Sequence, residues 1–261
     1  MIKSYDAING TLRFIELLKL GNMKSKKDQI IPTDKWEFNE KVTQVFDDML
    51  QRSIPDYLNM RDLVSNLIVK YAKKEGTVLD LGCSSGGAIK DALLQTPSEI
   101  NFIGVEISKP MRTAARKNLE NFILEKRVKI INCDLRNDLP ETKNSVVISV
   151  LTIQFLPIEY RQKLILDVYN SLNPNGVFIL VEKILGIDAL GNSLLEDLYY
   201  KMKGDNGYSQ EQIAQKRKSL EGVLVPVTSE WNEAFLMQAG FTSIQKFWQQ
   251  LNFAGWVAFK S

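Results

Sequence analysis

The segment that most constrains this chain is Thr77-Val78-Leu79-Asp80-Leu81, which runs directly into Gly82-Cys83-Ser84-Ser85-Gly86-Gly87 and then into a helical pattern reaching about Leu94. A short apolar strand that ends in glycines and turns at once into a helix opens a parallel α/β sheet, because glycine lets the backbone pass where a Cβ would block it. The rest of the chain repeats the unit. Residues 102–106, 128–132, 145–151 and 177–182 read as further strands. Ser108 is a suitable N-cap, with Pro110 early in a helix to about Leu124. A second helix over 158–172 stops at the turn cluster Asn173-Pro174-Asn175-Gly176. Helical pattern fills 183–229, a helix follows at 231–239, and the runs 244–250 and 255–259 are close enough to pair antiparallel. The first five strands are apolar on both faces, as strands covered by helices on both sides are. The expected fold is α/β: a doubly wound, mostly parallel seven-stranded sheet, with N-terminal helices and a helical lid inserted after the fifth strand.

Ahead of the sheet, Val42, Val45, Phe46, Met49 and Leu50 recur at helical spacing over 38–50. Ser53-Ile54-Pro55-Asp56 breaks that helix, and Leu63, Leu67, Ile68 and Tyr71 stripe another over 59–71. The organisation this implies is an extension over 1–34 and one domain over 35–261, with a helical cap at 35–73 and the lid at 183–229. The start carries Leu12, Phe14, Ile15, Leu17, Leu18 and Leu20, interrupted by Arg13, Glu16 and Lys19. That pattern predicts an amphipathic helix or a loose extension, not a signal peptide. No run approaches the ~18 apolar residues of a membrane span, so no membrane partner is expected.

Histidine is absent from the chain. This removes Ser-His-Asp and Cys-His nucleophiles and histidine-ligated metals, so no metal site is expected. Cys83 and Cys133 lack the spacing of a zinc or disulfide framework, which points to a reducing cytoplasm. Net charge is +2 with both signs mixed, giving no footprint for direct nucleic-acid binding. Lys24, Lys26 and Lys27 read as a solvated basic linker.

The glycine turn spells Asp80-x-Gly82-x-Ser84-x-Gly86. It can bring backbone N–H groups to a ligand or serve only as a tight strand-to-helix turn. A dinucleotide fingerprint needs glycine where Ser84 stands. Glu106 ends the second strand, where an acid can accept hydrogen bonds from both hydroxyls of a ribose. Asp134 follows the third strand, placed to meet an adenine amino group. Together with the terminal hairpin, over roughly residues 74–260, this set resembles the class I S-adenosylmethionine (SAM) dependent methyltransferases, a Rossmann-like fold. The resemblance implies SAM as cofactor.

The flanking segments narrow it. Trp36-x-Phe38, Val45-Phe46-Asp47-Asp48-Met49, Gln51-Arg52-Ser53-Ile54-Pro55-x-Tyr57, Gln154-Phe155-Leu156, Asn206-Gly207-Tyr208-Ser209 and Gln215-Lys216-Arg217 resemble the carboxy-SAM synthases of tRNA wobble-uridine modification. In that family SAM and prephenate give carboxy-SAM: hydroxide leaving prephenate takes a proton from the sulfonium methyl, and the released carbon dioxide adds there. Such chemistry needs no histidine base. The resemblance implies cofactor contacts at Tyr57, Asp80, Gly82, Cys83, Ser84, Glu106, Ile107, Asp134, Leu135 and Val150, and a carboxylate contact at Arg217, the catalytic candidate. It also implies a homodimer, for which Leu194, Leu195, Leu198 and Tyr199 in the lid carry apolar surface.

Two positions depart from the family pattern. Val150 stands where the family carries asparagine, and Glu106 where it often has aspartate. The residues leave three functions in play: the synthase, an ordinary methyltransferase acting on a small molecule under the lid, and a non-catalytic SAM-binding protein. A plain methyltransferase has no need of a fixed cation beside the methyl group, so Arg217 separates the first two. As a bare spacing, Gln215-Lys216-Arg217-Lys218 is equally the solvated face of a helix.

Overall fold

The structure is a computed structural model that describes residues 26–261, so the amphipathic reading of residues 12–20 lies outside the described residues. Helices α1 (Glu40–Ser53) and α2 (Tyr57–Tyr71) precede the sheet. Then follow β1 (Thr77–Leu81), α3 (Gly87–Leu93), β2 (Asn101–Glu106), α4 (Lys109–Asn118), α5 (Glu120–Leu124), β3 (Val128–Asn132) and β4 (Asn144–Val150). Helix α6 (Ile158–Ser171) leads into β5 (Leu172–Lys183), and the lid is α7 (Ala189–Asp205) with α8 (Gln210–Leu220). Helix α9 (Ser229–Gln238) and the strands β6 (Ser243–Gln250) and β7 (Phe253–Phe259) finish the chain. The sheet order is β3-β2-β1-β4-β5-β7-β6, with β7 antiparallel to both of its neighbours.

Two-residue periodicity divides the core between the sheet faces. Val78, Phe102, Val146, Ile148 and Ile179 pack on one side with Met60, Val64, Ile68 and Ile89. Leu79, Val147, Phe178 and Leu180 pack on the other with Leu164, Val168, Leu236 and Trp256.

Three details differ from the sequence reading. The buried row of α2 is Met60, Val64 and Ile68, whereas Leu63, Leu67 and Tyr71 flank it, because an i, i+4 row is what meets the sheet. The helix expected from Ser108 to Leu124 breaks at Leu119, whose backbone (φ −114°, ψ 14°) leaves the helical region while its side chain buries against Gly86. The turn cluster Asn173–Gly176 does not separate α6 from β5. It forms a register shift inside β5, with Asn175 at φ +61°.

Gly82, Glu106, Asp134, Val150 and Lys183 all fall at or just beyond the carboxyl ends of parallel strands. In open α/β sheets that edge is where ligands bind. The lid leaves and rejoins this edge at one point, where Ile184 bridges Val227 and Leu185 N–H donates to Val227 O at 3.0 Å. Among the described residues, no helix is long and apolar enough to cross a membrane.

Candidate active site

Gly82 and Cys83 both donate their N–H groups to Val105 O, at 2.8 and 3.0 Å, which folds the turn back onto β2. Gly82 has φ +74°, and a Cβ there would sit 2.6 Å from Thr152 Oγ1. Only glycine satisfies both constraints. The Cys83 thiol is pushed up by burial, and a Cβ on Gly104 would lie 2.7 Å from its sulfur. Cys83 is a packing residue whose contribution to the turn is its backbone.

Glu106 is buried, and each of its carboxylate oxygens accepts a backbone N–H: Ser84 to Oε2 at 3.0 Å and Ser108 to Oε1 at 2.7 Å. Burial pushes its pKa up against those donors. A carboxylate offers about four acceptor positions, so two remain for hydroxyl groups. Ile107 beside it is 56% exposed, an apolar surface at the mouth of the turn. Asp134 is held by the Arg136 guanidinium, whose Nε lies 2.9 and 3.0 Å from the two carboxylate oxygens, and its pKa falls as a result. Leu135 behind it is buried.

Asp80 is 2% exposed, and its Oδ2 has no hydrogen-bond partner. Burial pushes its pKa up to about 7, with Arg61 opposing and Glu106 adding to the rise. Arg61, which sequence reasoning missed, joins Tyr57 to Asp91 and acts on Asp80 only through its charge: its Nη1 donates to the buried Tyr57 hydroxyl at 2.6 Å and its Nη2 to Asp91 Oδ2 at 2.6 Å. The available signal was Arg61 at i+4 from Tyr57, one residue past the buried Met60.

Beyond β4 the site changes character. Val150 pairs with Val181 and puts an apolar side chain at the strand end. Glu182, also missed, is buried and accepts the N–H groups of Ile153 and Gln154 at 3.0 and 2.7 Å. Burial pushes its pKa up to about 8. Gln154 Oε1 in turn accepts Lys183 N–H at 2.7 Å, so the loop after β4 is fixed to the end of β5. Arg217 on α8 is 58% exposed at its side chain, 3.8 Å from Glu196 and 5.7 Å above the Tyr200 ring.

An orphaned buried acid, a glycine turn with no room for a side chain and an acid with two free acceptor positions fit a nucleoside with a charged tail. Glu106 would take the ribose diol, Asp134 the adenine amine, and Asp80 with Tyr57 the region of the tail. A family model described as "Methyltransferase domain" matches residues 78–176, which cover β1 through the start of β5. The structure is similar to an O-methyltransferase family protein from Burkholderia thailandensis (TM-score 0.61, 18% identity, 85% of this chain and 60% of that one). It is also similar to the mitomycin 7-O-methyltransferase MmcR (TM-score 0.55, 13% identity, 84% of this chain and 57% of that one). The fold is therefore the class I SAM-dependent methyltransferase fold.

The chain is 38% identical over 226 residues to the carboxy-S-adenosyl-L-methionine synthase of Actinobacillus pleuropneumoniae serotype 5b, covering 85% of this chain and 92% of that protein. It is 35% identical over 244 residues to the synthase of the same name from Pseudoalteromonas atlantica, covering 92% of this chain and all of that protein. The chain belongs to the carboxy-SAM synthase family.

Proposed function

We propose that the chain carboxylates the methyl group of SAM at the expense of prephenate, in a reducing cytoplasm, supplying carboxy-SAM for modification of the tRNA wobble uridine by a separate enzyme. The observation that carries this reading is identity to synthases over 85% and 92% of the chain, far more than the cofactor core alone. The overall exchange balances: SAM and prephenate give carboxy-SAM, an aromatic 2-keto acid and water. When bound, SAM supplies a methyl group whose protons are acidified by the sulfonium.

The chain's own work is positioning and charge compensation. Tyr57, Asp80, the Gly82–Ser84 backbone, Glu106, Ile107, Asp134 and Leu135 bind and orient the nucleoside. Val150 lines the reacting end without offering a hydrogen bond. Among the described residues Arg217 meets a carboxylate only at 3.8 Å, which leaves its guanidinium fork able to take a new carboxylate bidentately.

We also propose a homodimer through α7, where Leu190, Leu194 and Leu198 stand at i, i+4, i+8 and are 83%, 60% and 44% exposed. Of the residues expected there, Leu195 is half-buried and Tyr199 is buried in the core at 7% exposure, so neither is part of that stripe, and Leu190 joins it instead. Light scattering should give twice 29.7 kDa; a strict monomer at micromolar concentration refutes the interface. For the reaction, the test is to incubate the protein with SAM and prephenate and weigh the nucleotide. The synthase predicts a species heavier than SAM by one carboxyl group. If only SAM or its demethylated product is found with prephenate present, ordinary methyl transfer replaces the synthase.

A further inference from the structure

The lid carries two ammonium groups that have no part in the binding roles assigned so far. Lys203 on α7 is 5% exposed, and no hydrogen bond from its Nζ is present among the described residues. It lies over two phenol rings, 5.5 Å from the Tyr199 centroid and 5.1 Å from the Tyr208 centroid. Lys183, at the end of β5, puts its Nζ 4.7 Å from the same Tyr199 centroid, so one ring is shared by both cations. A ring face attracts an ammonium but does not neutralise it or accept its three hydrogen bonds.

The surroundings increase the imbalance. Lys216 also faces Tyr208, and the nearby acid Asp28 is already engaged by Lys216 and by the Tyr208 hydroxyl. Arg52 adds another positive charge on that side, offset by Asp48 at 3.1 Å, and Arg217 adds one beside Lys183, where Glu196 is the acid in reach. Burial, with Lys216 and Lys183 adding to it, lowers the Lys203 pKa to about 7, and burial lowers that of Lys183 as well. Burial penalises the charged form of Lys203, so an anion that reaches this ammonium restores the proton that burial removes.

We propose that Lys183 and Lys203 form an anion subsite beside Arg217 that anchors the carboxylate which the acid co-substrate keeps. The assignment of that co-substrate rests on the reaction proposed above. Prephenate carries two carboxylates and loses one of them. A cation bound tightly to the departing group would stabilise the reactant against its loss, whereas a cation on the retained group orients the acid at no such cost. The retained carboxylate survives in the aromatic keto acid product, so phenylpyruvate is the probe.

Phenylpyruvate is titrated into SAM-loaded protein by calorimetry at pH 8, in two buffers of different ionisation enthalpy. In the free protein Lys203 is largely neutral at that pH, and a bound carboxylate draws a proton back onto it. Wild type should therefore bind with uptake of up to about one proton. Lys203→Met should weaken binding about tenfold or more and abolish the uptake, and Lys183→Met should weaken binding similarly but keep the uptake. Lys203→Arg should restore binding without uptake. SAM affinity should stay within about twofold throughout, since neither lysine is placed at the nucleoside. The thermal midpoint of Lys203→Met without ligand should be no lower than wild type, because an apolar chain replaces a buried amine that has no hydrogen-bond acceptor among the described residues.

Unchanged phenylpyruvate binding in both Met variants, proton uptake that survives in Lys203→Met, or no binding by wild type each overturns the subsite. The reaction is judged separately. Wild type that binds phenylpyruvate as described yet leaves SAM and prephenate unchanged refutes the synthase reading and keeps the subsite. Turnover of prephenate with an unaltered KM in both Met variants does the reverse.

Discussion

Asp28 and Lys216 form an ion pair without solvent contact, joining the segment ahead of α1 to the helix that carries Arg217. The Tyr208 hydroxyl donates to the same carboxylate at 2.7 Å, and Arg52 Nη1 donates to Asp28 O at 2.9 Å. Burial alone would push this carboxyl up, yet the hydrogen bonds from Lys216 and Tyr208 outweigh it and hold the pKa below its usual value. Trp36 N–H donates to Ser219 O at 2.9 Å, adding a second tie to the same helix. A residue from the segment read as an extension therefore helps to seat α8.

Asp28→Asn should leave the Lys216 ammonium buried without a counter-charge, at a cost of about 3–5 kcal/mol in chemical denaturation. Adding Lys216→Met to that variant should recover much of the loss. A loss of stability that the double variant fails to relieve would mean that the pair is not the source.

Glu106→Ala removes the acceptor expected to meet the ribose hydroxyls and also the partner of the Ser84 and Ser108 N–H groups. SAM affinity measured by calorimetry should fall by about 1–3 kcal/mol in a folded protein. Unchanged affinity would leave Glu106 as a brace for the turn and nothing more.

Arg217→Met keeps the apolar stem and removes the charge. Plain SAM should bind within about threefold of wild type, since the guanidinium is not placed at the nucleoside. Carboxy-SAM should be retained far more weakly, by about 3–5 kcal/mol if the site closes over it. Mass spectrometry of nucleotides from wild type and variant, prepared from the same cells, distinguishes the two; equal retention of carboxy-SAM removes Arg217 from the site.

Asp80 and Glu182 hold their protons to about 7 and about 8 because burial disfavours their charged forms. Their folded pKa values exceed the unfolded ones, so the stability they contribute is complete below ~4 and is lost as pH rises through the folded values. Lys203 has the opposite sign: its folded pKa of about 7 lies below the unfolded value, and its penalty is relieved as pH rises from there toward ~10. The thermal midpoint of the SAM-free protein should pass through a minimum between about pH 7 and 8. Lys203→Met should flatten the alkaline limb and Glu182→Gln the limb just below the minimum. A monotonic profile across this range contradicts these assignments.

The seven strands and their order of appearance were legible because a parallel sheet covered on both faces writes itself as short apolar runs between helical stretches. The edge that carries Gly82, Glu106 and Asp134 followed from the same pattern. What stayed hidden were contacts between letters that look like surface. Arg61 is one charged residue on an amphipathic helix until the fold sets it between Tyr57, Asp80 and Asp91. Asp28 falls in the segment read as an extension, because its partners Tyr208 and Lys216 lie more than a hundred residues away. The break at Leu119 was hidden for a similar reason: the Gly86 surface that receives its side chain belongs to a different βα unit.

The Ile184–Val227 bridge has a consequence for how such chains diversify. The strand leaves the sheet and returns at hydrogen-bonding distance, so closing the lid segment costs little more as its interior lengthens. The stem fixes both ends of the insert, while Asp28, Trp36 and the core around Tyr199 hold its inner face. Residues on the exposed faces of α7 and α8 can be exchanged to suit another acid while the registers of β5 and β7 stay in place.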